Sequence, residues 1–287
     1  MTSPMLIDTH AHINFSEYEN DREEVMRRAF QTGVKKILHS CCRVHEIETL
    51  INLSKEFNGT AEMSELFVAV GVHPTEFHSW DEDSEIEIRK VLNRELKSQQ
   101  HKIRAIGETG LDYYHCSTDI EREKQREIFN KQIAIAKEFE LPLIIHTRDA
   151  EEDTLAILKD HFSQNAGIGV PHTQEHRAAE RNGTIHCFTG SESFALACID
   201  LGFYISWSGI LTFKNSQTLR EVASRVPLEK TLVETDCPFL APQAKRGKRN
   251  EPSYVNYVAE ELALIKGLSK AEIMSITSKN AEYLFNL

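Results

Sequence analysis

No stretch of this 287-residue chain approaches the roughly 20 consecutive apolar residues that a membrane-spanning helix needs. Cysteine is equally thin on the ground. The six thiols (Cys41, Cys42, Cys116, Cys187, Cys198, Cys237) form no Cys-x-x-Cys pair, too few to staple a chain of this length, so they read as reduced, buried residues. No glycine-rich dinucleotide fingerprint follows any strand-like run, and no internal repeat is visible. Positive charge is short, with 33 basic against 44 acidic residues and a formal net charge of −11, which excludes a protein that coats nucleic acid by counterion release. It does not exclude a nuclease whose positive charge arrives with bound divalent cations. The first residues, Met1-Thr2-Ser3-Pro4, run straight into an apolar segment without a signal peptide, so a cytoplasmic location is expected.

What the chain does contain is alternation. Apolar, β-rich runs at 5–10, 36–39, 66–72, 103–108, 143–146, 184–186, 203–207 and 231–234 are separated by amphipathic helical patterns at 21–31, 45–57, 84–97, 120–139, 149–161, 193–201 and 216–223, with 254–266 and 270–278 after the last run. Strands alternating with helices imply parallel β-α units, and eight of them imply one closed (β/α)8 TIM barrel over residues 1–287. Residues 162–183 break the rhythm and read as an inserted surface loop before strand six. The insert's His172-x-x-x-His176 spacing suits a metal pair, but a segment leading into a strand opens on the amino-terminal face of a barrel, away from chemistry. The basic stretch 243–252 (QAKRGKRNEP) instead follows strand eight and opens on the carboxyl-terminal face.

The first strand ends His10-Ala11-His12. Residues two apart on extended backbone point the same way, so both imidazoles can hold one cation. Strand four ends Gly107-Glu108-Thr109-Gly110, where two glycines let backbone approach a ligand closely and Glu108 offers two oxygens to bridge two cations. His146 and His186 each close a later apolar run. Asp236, two residues beyond Glu234 on the same face, is the metal ligand and general base, while its neighbour orients a ligand or the attacking water. At the rim, His73 contacts substrate or packs under its loop, and Asp112 orients a ligand or caps a turn. Tyr113 or Phe188 is expected to stack a base, and Arg148 and Arg246, the latter with Lys245 and Lys248, to position phosphates. For Arg148 a salt bridge to a helix is the competing use.

These segments, from Asp8-Thr9-His10-Ala11-His12 through Gly71-Val72-His73-Pro74, Ile106-Gly107-Glu108-Thr109-Gly110-Leu111-Asp112, Ile145-His146-Thr147-Arg148-Asp149-Ala150, His186-Cys187-Phe188-Thr189-Gly190 and Glu234-Thr235-Asp236-Cys237-Pro238, to Arg246-Gly247-Lys248-Arg249-Asn250-Glu251-Pro252 and the closing Asn280-Ala281-Glu282-Tyr283-Leu284-Phe285, resemble the TatD family of metal-dependent deoxyribonucleases, amidohydrolase-like barrels. The resemblance spans the whole chain. It implies a divalent-metal site from His10, His12, Glu108, His146, His186 and Asp236, and 3'-to-5' exonuclease action on DNA, often single-stranded. Insert 162–183 is the departure from the family pattern. Ligand softness favours Zn2+ or Mn2+, and the resemblance adds Mg2+, in a pair roughly 3.5–4 Å apart. No membrane or obligate protein partner is expected. The rival reading is an amide, lactone or phosphotriester hydrolase on the same barrel. Many such enzymes bridge their metals with a modified lysine where this chain has Glu108. A structural metal plug needs only four ligands, fewer than the six available here.

Overall fold

The computed structural model describes residues 5–58, 60–163 and 181–287. Most of the insert, with His172 and His176, lies outside the described residues. Eight parallel strands form one sheet in sequence order: β1 Leu6–Ala11, β2 Val34–Ser40, β3 Glu65–Val70, β4 Ile103–Asp112, β5 Leu143–Arg148, β6 Gly183–Ile185, β7 Phe203–Trp207 and β8 Thr231–Val233. The ring closes just beyond β8. Ala11 bridges Cys237 in parallel, His12 N donates to Cys237 O at 2.8 Å, and Asp236 N donates to His10 O at 3.0 Å. Helices follow the strands as α1 Arg22–Gln31, α2 Ile47–Phe57, α3 Ser84–Glu95, α4 Asp119–Glu138, α5 Glu151–Phe162, α6 Glu192–Asp200 and α7 Gln217–Arg225, with α8 Val255–Lys266 and α9 Lys270–Phe285 closing the chain. None of the described helices is long and apolar enough to cross a membrane.

Two apolar layers result from period-two strands meeting amphipathic helices. The larger lies between strands and helices. The smaller fills the barrel floor with Ile7, Leu38, Phe67, Ala105, Ile144 and Leu232, against which α9 packs Ala281, Leu284 and Phe285. Reciprocal capping by Ser269 and Glu272 starts α9, so the floor is plugged and the open end is the carboxyl-terminal one. Above the floor sits a polar ring. There the Thr9 hydroxyl lies 3.2 Å from Ser206 Oγ and donates to Val233 O at 3.1 Å.

α4 does the most to shape the mouth. Thr118 and Glu121 cap it reciprocally, and its buried stripe includes Ile128, Phe129, Ile133 and Ala136. Two buried glutamines on that stripe tie down the loops above. Gln132 accepts from Val72 N at 2.8 Å and donates to Val72 O at 3.0 Å and Thr109 Oγ1 at 2.7 Å. Gln125 accepts from Asp112 N at 2.8 Å and donates to Pro74 O at 3.0 Å. The backbone on either side of His73, and that of Asp112 at the end of β4, is thus tied to α4.

The glycines around Glu108 serve strand packing rather than the expected ligand. A Cβ on Gly110 would sit 2.0 Å from His146 O, and one on Gly107 2.7 Å from Ile144 Cβ. Both let β4 press against β5.

Candidate metal centre

Glu108, only 2% exposed, is the hub of the mouth. Its Oε2 lies 3.1 Å from His10 Nε2 and 3.6 Å from His12 Nε2. Its Oε1 lies 3.1 Å from His73 Nε2, 3.1 Å from His146 Nδ1 and 2.9 Å from His186 Nε2. Asp236 Oδ1 closes the first group, 3.6 Å from the Nε2 atoms of both His10 and His12.

Each of the five histidines spends its other ring nitrogen on the protein. His10 Nδ1 is 3.1 Å from Ser40 Oγ and His12 Nδ1 is 3.1 Å from Ser40 O. His73 Nδ1 is 2.6 Å from Thr75 Oγ1, His146 Nε2 is 3.0 Å from Asp112 Oδ2, and His186 Nδ1 is 3.1 Å from Glu234 Oε1. That is how imidazole ligands are held: the outer nitrogen is fixed so that the inner lone pair faces a cation. A pure hydrogen-bond network around Glu108 fits less well. His186 Nε2, 2.9 Å from the carboxylate, is misaligned and makes no hydrogen bond, leaving a buried donor atom whose use is unmet in the protein alone. Three sets of donors have their atoms within 4.8 Å of one another: His10, His12 and Glu108; His10, His186 and Asp236; His73, Glu108 and His146. The residues therefore fit divalent metal, with Glu108 shared between two groups.

The electrostatics point the same way. Burial pushes Glu108 toward protonation, yet His73, His186 and His10 outweigh it and hold the carboxyl well below its ordinary range. Burial likewise raises Asp236, but His12, His186 and His10 leave it lowered. Burial drives His10 and His73 down. His186 is driven down by burial too, but Glu108 and Glu234 carry it well above its usual value; against the same burial Asp112 and Glu108 raise His146, and Cys42, Asp236 and Glu108 carry His12 well above its usual value. The cluster thus stores its positive charge as protons on His12, His146 and His186, which a bound cation would release.

Asp236 has a left-handed φ of 58°, which aspartate tolerates better than most residues. With Glu108, His73, His146, His186 and Arg148 it lines a cavity of about 620 Å3 open at the carboxyl-terminal mouth.

The six expected ligands are therefore brought together, and His73, read from sequence as a rim residue, stands among them. Asp112 is expected to orient a ligand or cap a turn, and it does both. At 1% exposure it faces away from the cavity, accepting from His115 N at 3.1 Å and fixing His146, so it positions a histidine instead of touching substrate. Tyr113 donates to Asp153 at 2.5 Å, and its half-buried ring flanks a side groove. Phe188, 2% exposed, packs against Phe194 and Trp207. Neither ring is presented to the cavity, so the expectation that one of them stacks a base is not met. Arg148 lies over the Tyr114 ring at 3.7 Å. Arg246 lies over Phe213 at 4.6 Å, outside the cavity lining. Sequence reasoning missed Ser40 and Thr75 as histidine anchors, although both close loop-side positions beside a predicted strand end.

A family model described as TatD related DNase matches residues 7–286. An uncharacterized metal-dependent hydrolase of Bacillus subtilis (strain 168), YabD, is 40% identical over 283 residues, which cover 99% of this chain and 100% of that protein. The 3'-5' ssDNA/RNA exonuclease TatD of Salmonella typhimurium (strain LT2) is 31% identical over 288 residues, covering 98% and 99% of the two chains. Among solved structures, YjjV, a TatD homologue from Escherichia coli K12, matches with a TM-score of 0.84 and 27% identity over 98% of each chain.

Proposed function

The chain belongs to the TatD-related deoxyribonuclease family of metal-dependent hydrolases, and on that footing we propose that it hydrolyses phosphodiester bonds in DNA as a 3'-to-5' exonuclease acting on single strands or 3' ends. The observation that carries the proposal is the two-sided Glu108, whose oxygens face separate histidine groups. His10, His12 and Asp236 would hold one divalent cation and His146 and His186 a second, with Glu108 shared between them and His73 beside the second group. Such cations supply a lowered water pKa and neutralise the charge that builds on a phosphate under attack.

The chain's own residues do the rest. Asp236 is held ionised at neutral pH by His12, His186 and His10 despite its burial, so its carboxylate is ready to take a proton from the attacking water. With its side chain 15% exposed, it meets the cavity. Glu234 fixes the His186 ring and also accepts from Cys187 N at 2.7 Å, holding the inner nitrogen in the cluster with its lone pair unspent on the protein. Arg148, at the rim, forms no ion pair among the described residues and is free for a neighbouring phosphate. The test incubates metal-loaded protein with end-labelled single-stranded DNA, duplex DNA and RNA, beside ester and lactone substrates. A ladder shortening from the 3' end of DNA supports the proposal; turnover of lactone or ester alone refutes it.

A further inference from the structure

The cavity over the histidines has two unlike walls. Arg43, Thr75, Glu76 and Arg148 make one polar side, while Phe15, Ile210, Phe239 and Leu240 make the other apolar. The aromatic wall starts at a ligand histidine. Phe15 stacks on His12 with ring centroids 4.9 Å apart and planes 22° apart. Phe239 meets Phe15 edge-on at 5.9 Å and 75°, and stands 6.5 Å from His12. A ring placed in this corner is one side chain away from the Glu108 and Asp236 oxygens.

Phe239 is 49% exposed, yet its backbone is clamped. Its N donates to Asp236 O at 3.1 Å, and its O accepts from Asn250 Nδ2 at 2.6 Å. Asn250, fully buried, also donates to Thr235 O at 2.9 Å and to Pro238 O at 3.1 Å through its own N. A Cβ on Gly209 would lie 2.1 Å from Leu240 O, so the next residue is pressed onto the turn after β7. A rigid, half-exposed phenyl ring set beside a reaction centre spends little entropy on binding and offers only a π face, which suits a flat apolar partner. In the lining of the same cavity, Arg148 is exposed and stacked on Tyr114.

We propose that Phe15 and Phe239 form a nucleobase platform, on which the base of the nucleotide being released stacks while Arg148 holds an adjoining phosphate. This rests on the nuclease reading above. Because the platform carries no hydrogen-bonding group, it accepts any base and rejects a residue that has none.

The test compares single-stranded oligonucleotides whose end nucleotides carry either a base or a tetrahydrofuran abasic analogue, using metal-loaded parent protein and Phe239→Ala, Phe239→Leu and Phe239→Tyr variants. Metal content and far-ultraviolet circular dichroism establish that each variant is folded. The parent is expected to show a KM about tenfold lower for base-bearing ends, with that preference kept in Phe239→Tyr and erased in Phe239→Ala and in Phe239→Leu, which keeps apolar bulk without a π face. A parental preference retained in the Ala and Leu variants overturns the platform and leaves the nuclease reading standing, as does a parent indifferent to the base. A parent that cleaves no oligonucleotide removes the nuclease reading and the platform with it.

Discussion

Replacing Asp112 by Asn separates a positioning residue from a substrate contact. The carboxyl is 1% exposed and held down to about 2. Burial works to raise it, but His146 and then His115 overcome that effect. An aspartate near 2 in the folded chain against about 3.9 in an unfolded one stabilises the fold by about 2.6 kcal/mol. Since the folded value is the lower one, this contribution is complete above about pH 4, where the unfolded carboxyl is ionised too, and is lost as pH falls through 2. Asparagine keeps an acceptor for His115 N but loses the charge, so the expected loss at pH 7 is at most that amount, a fall of roughly 4 °C in unfolding temperature for a chain of this size. The difference between parent and variant should narrow below pH 4. In the holoprotein, His146 loses the carboxylate that orients it and raises its basicity, so metal affinity should fall about 10–100-fold, with KM unchanged at saturating metal. The assays are thermal unfolding of chelator-treated protein across pH, and metal titration by competition with a chromogenic chelator. A fall well beyond about 4 °C at pH 7 refutes the charge account, and unchanged metal affinity with a several-fold rise in KM refutes the positioning role and puts Asp112 on the substrate wall.

Asp236→Asn keeps size, one oxygen and tolerance of the left-handed φ, so turnover on DNA should drop by orders of magnitude with circular dichroism unchanged; near-parental turnover with metal bound takes the base role from Asp236. Metal binding should weaken as pH falls, because His146 and His186 carry raised pKa values and protons compete for their nitrogens; calorimetry in buffers of different ionisation enthalpy should register protons released, and zero release at neutral pH contradicts the charge distribution described above. Chelation should abolish hydrolysis and added Mn2+, Zn2+ or Mg2+ restore it without refolding, as followed by activity and circular dichroism together. Arg148→Ala should raise KM and reduce the salt-dependence slope by about one, more than Arg246→Ala does, since Arg246 stands outside the cavity; equal effects would put the basic loop on the substrate path.

Sequence by itself determined whatever depends on local geometry. Eight β-α alternations require a barrel, and side-chain direction on a strand repeats every second residue. His10 with His12, Ile144 with His146, Thr184 with His186, and Leu232 with Glu234 each keep to one face as that rule demands, whereas Asp236 reaches the cavity through a left-handed φ of 58° beyond the strand. Tertiary structure decided what depends on neighbours. His10 and Glu108 each stand three residues beyond a floor residue, Ile7 and Ala105, an odd step that strict alternation would turn outward. Register shifts between Asp8 and Ala11 and between Ile106 and Thr109 bring them back inside, and such irregularities are set by the pairing partner. The same holds for His73, drawn to Glu108 by the Gln125 and Gln132 anchors of α4, and for Asp112, turned inward toward His146. Which aromatic rings meet the cavity was likewise a matter of packing. Phe188 is covered by Trp207 and Phe194, while Phe239 is left uncovered by a loop that Asn250 holds from a distance in sequence, and no local pattern encodes which ring a distant side chain will cover.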